Sequence, residues 1–136
     1  MNDSGLKIVS IEDDESVQIM LETHFDDLGH EFWSAASLKE GLQTVKEHCP
    51  DIVLLDININ NENGLIAIND LKDACDPIII IVSGKTETSD RIIGLEMGAD
   101  DYLTKPFHLK ELDLKIKSLI TLKQGQGSND NETSAK

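Results

Sequence analysis

Four short stretches of this sequence end in groups of the kind that handle phosphate. Glu12-Asp13-Asp14 follows one apolar run, Asp56 closes a second, Ser83 closes a third, and Lys105 precedes Pro106-Phe107. Two carboxylates about 4 Å apart repel by roughly 4 kcal/mol at an effective dielectric near 20, so acids gathered in one place need a proton, a lysine or a metal beside them. With no histidine or cysteine beside these acids, an all-oxygen donor set suits a hard cation, and Mg2+ is the usual partner of phosphate chemistry. A carboxylate such as Asp56 can attack phosphorus and form an aspartyl-phosphate. Mg2+ would neutralise the incoming oxygens, Lys105 would stabilise charge on the phosphoryl group, and the Ser83 hydroxyl would hydrogen-bond one of its oxygens. Each residue also has an ordinary reading: a turn for Asp56 and Ser83, a surface lysine for Lys105, a helix cap for Asp14 and Glu15. The cap is the reading taken for Asp14 and Glu15, whereas Asp13 is read as a metal ligand.

That chemistry requires the four stretches to converge, and the pattern between them says how. Residues 6–11, 31–35, 52–56, 78–83 and 101–104 read as strands. The first, third and fourth are nearly continuous in Ile, Val and Leu, as in strands covered on both faces of a parallel sheet. Helical periodicity fills the gaps at 15–28, 37–48, 63–74, 88–97 and 108–123. Gly29 is placed to cap the first of these, and Ser37 with Glu40 forms a capping-box pattern at the second. On the first helix Val17, Met20, Leu21, Phe25 and Leu28 form the stripe expected to face the core. Five alternating β-α units with right-handed crossovers make a doubly wound α/β domain, and the flavodoxin-like strand order 2-1-3-4-5 is the one predicted. Its ligand site lies beyond the carboxyl ends of strands 1 and 3, where the winding reverses. Residues 1–5 are expected to be a flexible N-terminus, 6–123 the domain, and 124–136 a disordered tail or the start of a linker.

Composition excludes other classes. A net charge of −14, with Arg91 the one arginine, argues against direct nucleic-acid binding. No apolar run approaches membrane-spanning length and no secretory signal opens the chain, so a cytoplasmic protein without membrane contact is expected. Cys49 and Cys75 lack metal-ligand or redox-motif spacing and are read as reduced thiols.

Across residues 6–123 the sequence resembles the receiver domain of two-component response regulators, most closely those joined to a winged-helix DNA-binding domain. The resemblance rests on Ile8-Val9-Ser10-Ile11-Glu12-Asp13-Asp14, on Asp51-Ile52-Val53-Leu54-Leu55-Asp56, on Ile79-Ile80-Ile81-Val82-Ser83-Gly84, and most specifically on Gly98-Ala99-Asp100-Asp101-Tyr102-Leu103-Thr104-Lys105-Pro106-Phe107. It implies Asp56 as phosphoacceptor. The metal would be held by Asp13, Asp56 and the backbone carbonyl of Asn58, with Glu12 acting through water; Mn2+ or Ca2+ could replace Mg2+ in a crystal. Lys105, Ser83 and Gly84 would contact the phosphoryl group, Ser83 and Tyr102 would form the switch, and Asn58 and Lys85 would tune phosphoryl lifetime. Lys105-Pro106 is expected to be cis.

The implied partner is a sensor histidine kinase or phosphotransfer protein that donates from a phosphohistidine. The implied output is the face of helix 4, strand 5 and helix 5, where Arg91, Asp100, Glu111 and Lys115 resemble charges used for homodimer pairing. Such a domain is a signalling phosphoacceptor that catalyses only its own phosphorylation and dephosphorylation, either as a stand-alone relay receiver or as the front of a larger regulator. A haloacid-dehalogenase-like phosphatase is the rival enzyme, but it would place its nucleophile after strand 1. A flavin carrier of similar topology would need a phosphate-cradling loop where this chain has acids. One departure from the family pattern stands out: Asn60 occupies the place of the usual proline four residues after Asp56, which leaves the source of that loop's rigidity open.

Overall fold

A computed structural model describes residues 5–84 and 88–135, and the described residues divide after Pro106 into two compact units. In chain order the first unit contains β1 (Lys7–Ile11), α1 (Glu15–Asp27), β2 (Glu31–Ala35), α2 (Leu38–His48), β3 (Ile52–Asp56), β4 (Asn58–Ile59) and β5 (Glu62–Asn63). A 3-10 turn at Gly64–Ala67 leads into α3 (Ile68–Cys75), followed by β6 (Ile78–Ser83), α4 (Thr88–Met97) and β7 (Asp101–Thr104). The second unit carries α5 (Leu109–Ala135).

β2, β1, β3, β6 and β7 form one parallel sheet in that order, the doubly wound arrangement expected. Its central strands β3 and β6 are buried at every residue, which is why their sequences are apolar throughout rather than alternating. Val9, Ile11, Val53, Leu55, Ile79 and Ile81 point to one face, where Val45 of α2 and Ile68 and Leu71 of α3 complete the core. α1 contributes Leu21 and Phe25 to the interior, with the Phe25 ring stacked on Phe32 of β2 at 5.7 Å. Met20 and Leu28, predicted to lie on the buried stripe of α1, are exposed. In α5, Leu112, Ile116 and Ile120 are buried.

Helix ends follow from local chemistry. Asp14 is the N-cap of α1, and Gly29, at φ +83°, supplies the left-handed turn that lets the chain leave that helix. Ser37 caps α2 by accepting from the Glu40 amide at 3.1 Å, while Glu40 reaches back to the Ala36 amide at 2.8 Å.

Elsewhere the structure differs from the sequence reading. Residues 58–63 form a small antiparallel hairpin whose two turn residues, Asn60 (φ +51°) and Asn61 (φ +64°), are both left-handed. Positive φ at both positions matches the type I′ turn favoured in two-residue hairpins, and Asn tolerates it better than most residues. The third helix consequently starts later, as a 3-10 turn capped by the Asn63 side chain on the Leu65 amide at 2.9 Å. α5 continues through Ala135 instead of ending near Lys123, with no proline to interrupt its ladder. Residues 1–4 of the expected flexible start lie outside the described residues.

The reading of Cys49 and Cys75 as reduced thiols is overturned: they form a disulfide with Cα atoms 5.4 Å apart. Cys49 is the left-handed C-cap of α2 and Cys75 the last residue of α3, so two helix ends distant in sequence meet in space. A spacing of 26 residues could not reveal that meeting.

Gly64 lies against the chain that carries Asp56: a Cβ there would collide with the Asp56 carbonyl oxygen, which is backbone and cannot turn aside. Gly64→Ala is therefore expected to cost about 1–3 kcal/mol in urea unfolding, as overpacking does. A variant as stable as the parent would show that the 57–64 segment can move freely from the end of β3.

Candidate functional site

The carboxyl ends of β1, β3, β6 and β7 bring the predicted groups to one rim. Glu12 follows β1 directly, and its amide donates to the Ala35 carbonyl at 2.9 Å, extending the strand pairing by one residue. Asp56 ends β3 opposite Val82 of β6, and Ser83 lies one step further, opposite Thr104. Lys105 follows β7, and its amide donates to the Ser83 carbonyl at 2.6 Å. Lys105-Pro106 is cis.

Glu12 and Asp56 are almost fully buried, at 3% and 5% exposure. Buried carboxylates require compensation. The half-buried Lys105 ammonium provides it, lying 3.0 Å from Glu12 Oε1 and 3.1 Å from Asp56 Oδ2. The other oxygens are also held: Glu12 Oε2 accepts from the Asp14 amide at 3.0 Å and Asp56 Oδ1 from the Asn58 amide at 3.1 Å. Asp13 is exposed and accepts from the Asn60 amide through Oδ2 at 2.8 Å. Asp14 turns away to cap α1, accepting from Ser16 Oγ at 2.7 Å and from the Ser16 amide at 2.9 Å.

These surroundings shift protonation. Burial pushes the Glu12 carboxyl above its usual range, against the opposing hydrogen bonds from Lys105 and the Asp14 amide. Burial alone would lower Lys105, but its bond to Glu12 and the charge of Asp56 hold it above its ordinary value. Hydrogen bonds from Ser16, with a further one from the Val17 amide, hold Asp14 below the usual carboxylate range.

Glu12, Asp13 and Asp56 each place a carboxylate oxygen within 4.8 Å of the others. An all-oxygen set of this kind would suit a hard divalent cation such as Mg2+, which Asp13 and Asp56 could hold, with Glu12 reached through water. A second feature fits a phosphoryl group. The Ser83 hydroxyl is fully buried with no hydrogen-bond partner, a costly state that a newly arrived acceptor oxygen would relieve.

Tyr102, on β7, is 38% exposed, and the Arg91 guanidinium lies over its ring at 5.0 Å. Arg91 also donates to the Gly84 carbonyl at 3.4 Å and to Thr88 Oγ1 at 3.2 Å. Asp100 accepts from the Ile79 amide at 2.9 Å and approaches Lys72 at 3.8 Å, so Arg91 and Asp100, expected for pairing, also have partners within the chain. Glu111 and Lys115 lie on α5. Lys85 lies outside the described residues. Sequence reasoning did not assign Asn60 to this site; its only signal was the missing proline.

Residues 8–117 match the family model described as the response regulator receiver domain. The TorCAD operon transcriptional regulatory protein TorR of Escherichia coli O157:H7 is 42% identical over 114 residues, which are 83% of this chain and 49% of that protein. The probable transcriptional regulator ycf27 of Porphyridium aerugineum is 38% identical over 125 residues, covering 92% and 52%. The chain thus spans about half the length of the curated relatives it matches. Among solved structures, the receiver domain of the TMAO respiratory system response regulator TorR superposes with a TM-score of 0.79 at 39% identity, covering 85% of this chain and 96% of that one. A response regulator described as putative from Chloroflexus aurantiacus gives 0.78 at 28% identity, covering 87% and 99%.

Because the folded-state value of Glu12 is raised, its contribution to stability is present at acid pH and is lost as pH rises through that value. In chelator at neutral pH, Glu12→Gln should therefore raise the melting temperature, by on the order of 3 °C, and the gain should shrink as pH falls through the carboxylate range. A melting temperature that drops at neutral pH would mean the ion pair with Lys105 outweighs the burial.

Proposed function

This chain belongs to the response regulator receiver domain family, and we propose that within it Asp56 is the residue that takes the phosphoryl group. The observation that carries this assignment is the buried carboxylate of Asp56 held between Lys105 and the Asn58 amide, with a second acid and an unpartnered hydroxyl at the same rim. An Asp56 oxygen attacks the phosphorus of a phosphohistidine on a sensor histidine kinase or phosphotransfer protein. The P–O bond forms as the P–N bond breaks, and the imidazole leaves neutral, keeping the proton already carried on its other ring nitrogen. Asp13, Asp56 and the carbonyl of Asn58 would hold Mg2+, with Glu12 acting through water. When bound, the ion neutralises charge on the transferring oxygens. Lys105 is already beside Asp56 and keeps its positive charge through the neutral range, so it can accompany the new phosphoryl oxygens.

The added group brings about −1.5 to −2 charge. Its oxygens offer acceptors to the Ser83 hydroxyl and the Gly84 amide. Movement of Ser83 opens space that the exposed Tyr102 ring can fill, and leaving Arg91 is the cost of that turn. A ligand shifts such an equilibrium only by contacting the two states differently, and Ser83 is the group whose contacts change. Asn58 is proposed to tune phosphoryl lifetime, and Arg91, Asp100, Glu111 and Lys115 to carry charged contacts between copies of the chain.

The domain is proposed to span residues 6–123 and to act in the cytoplasm as a phosphoacceptor that catalyses only its own phosphorylation and dephosphorylation. Support for that location comes from the proposed kinase partner, and among the described residues no helix is long and apolar enough to cross a membrane. Relatives named as transcriptional regulators are about twice as long as the matched region, so absence of nucleic-acid contact is proposed for these 136 residues alone. The phosphatase alternative finds no support: the chain matches the receiver family, and the acid that itself closes an apolar strand, Asp56, lies at the end of β3.

Incubation with a small labelled phosphodonor and Mg2+ should label the parent chain at Asp56 and leave Asp56→Asn unlabelled. Label retained by Asp56→Asn would move the acceptor elsewhere. Light scattering with and without a stable phosphoryl mimic should show the mass doubling if the four charges pair copies; an unchanged mass removes that role.

A further inference from the structure

The hairpin that replaces the family's proline reaches two other loops. Asn60 stands in its turn at φ +51°, a conformation closed to proline, whose φ is fixed near −65°. Its backbone N–H donates to Asp13 Oδ2 at 2.8 Å, a bond that a proline has no hydrogen to make. Its side-chain amide donates to the Ala36 carbonyl at 2.6 Å. Ala36 is itself anchored, because its amide donates to Glu40 of the α2 cap at 2.8 Å. One residue therefore ties the loop after β1, the loop after β2 and the loop after β3 to each other.

Asp13 is the member of the acidic cluster that most needs such a tie. Glu12 and Asp56 are buried and share Lys105, whereas Asp13 is exposed, and an exposed carboxylate rotates freely unless a donor fixes one oxygen. We propose that Asn60 is a positioning residue for the cation site: its N–H fixes the Asp13 carboxylate, and its side chain fixes that N–H against Ala36. This rests on the reading of Asp13 as a metal ligand and deepens it. Groups that orient a ligand in this way typically change metal affinity by 10–100-fold when removed.

Asn60→Gly tests the tether, since glycine adopts the positive φ and keeps the N–H while losing the bond to Ala36. Its neighbour Asn61→Gly, in the same turn with φ +64°, is the control for general loosening of the hairpin. Calorimetric titration with Mg2+ alone should give a dissociation constant raised about tenfold or more in Asn60→Gly and unchanged in Asn61→Gly, with both variants melting cooperatively. Equal affinity in the parent and Asn60→Gly, or equal weakening in both variants, would overturn the proposal. A second measurement needs no ion. Amide hydrogen exchange at Asn60 in chelator should be about tenfold or more faster in Asp13→Ala than in the parent, because a bond to a charged acceptor is gone. Unchanged exchange would show that the N–H does not hold Asp13. A parent chain that binds no Mg2+ would instead remove the metal-site reading, and the exchange rates would still decide whether Asn60 holds Asp13.

Discussion

The arrangement at the rim depends on one ammonium group set between two buried carboxylates. Lys105 lies within hydrogen-bonding distance of both Glu12 and Asp56, acids brought by neighbouring strands that would otherwise face each other across a poorly solvated gap. Burying either acid unpaired would be costly, and breaking such a pair leaves an uncompensated charge. The lysine can be there only because β7 lies beside β6 and the chain turns inward directly after it, with the Lys105 amide held by the Ser83 carbonyl. The same group thus makes two buried acids at one rim tolerable.

Around that pair the backbone does much of the positioning. Amides of Asp14, Asn58 and Asn60 each donate to a different acid of the cluster, so the carboxylates are oriented as well as neutralised. Those amides belong to turns that follow strand ends, and the sheet register decides where the turns begin. Gln18, one turn into α1, donates its side-chain amide to the Glu12 carbonyl and joins the first helix to the same corner. Rigidity that a proline would have supplied by restricting φ comes here from a left-handed Asn-Asn turn and its hydrogen bonds. Ser83 stands apart: its buried hydroxyl is left without a partner, whereas each acid of the cluster accepts at least one hydrogen bond.

Most of the architecture was legible in the sequence because a buried parallel strand has few chemical choices. Residues 52–56 and 78–83 are apolar at nearly every position, and both strands occur with those bounds. Caps such as Asp14 and Ser37 were readable for the same reason, since few side chains can satisfy the free amides of a first turn. The hairpin at 58–63 was not legible. It is two residues per strand, too short for periodicity, and its Asn-Asn turn could equally have served an open loop. The stripe on α1 was read too widely, because Met20 and Leu28 fit the helical period yet no neighbour covers enough of them.

The sequence by itself determined the order of strands and helices and the identity of the acids, hydroxyl and lysine, because each of these is set by residue type and local spacing. Tertiary structure alone decided which oxygen of each acid meets which donor, that Asn60 reaches Asp13 across 47 residues, and that Cys49 and Cys75 are joined. Those contacts are made between segments distant along the chain. Their geometry follows from sheet register and helix packing, and no local pattern of residues encodes it.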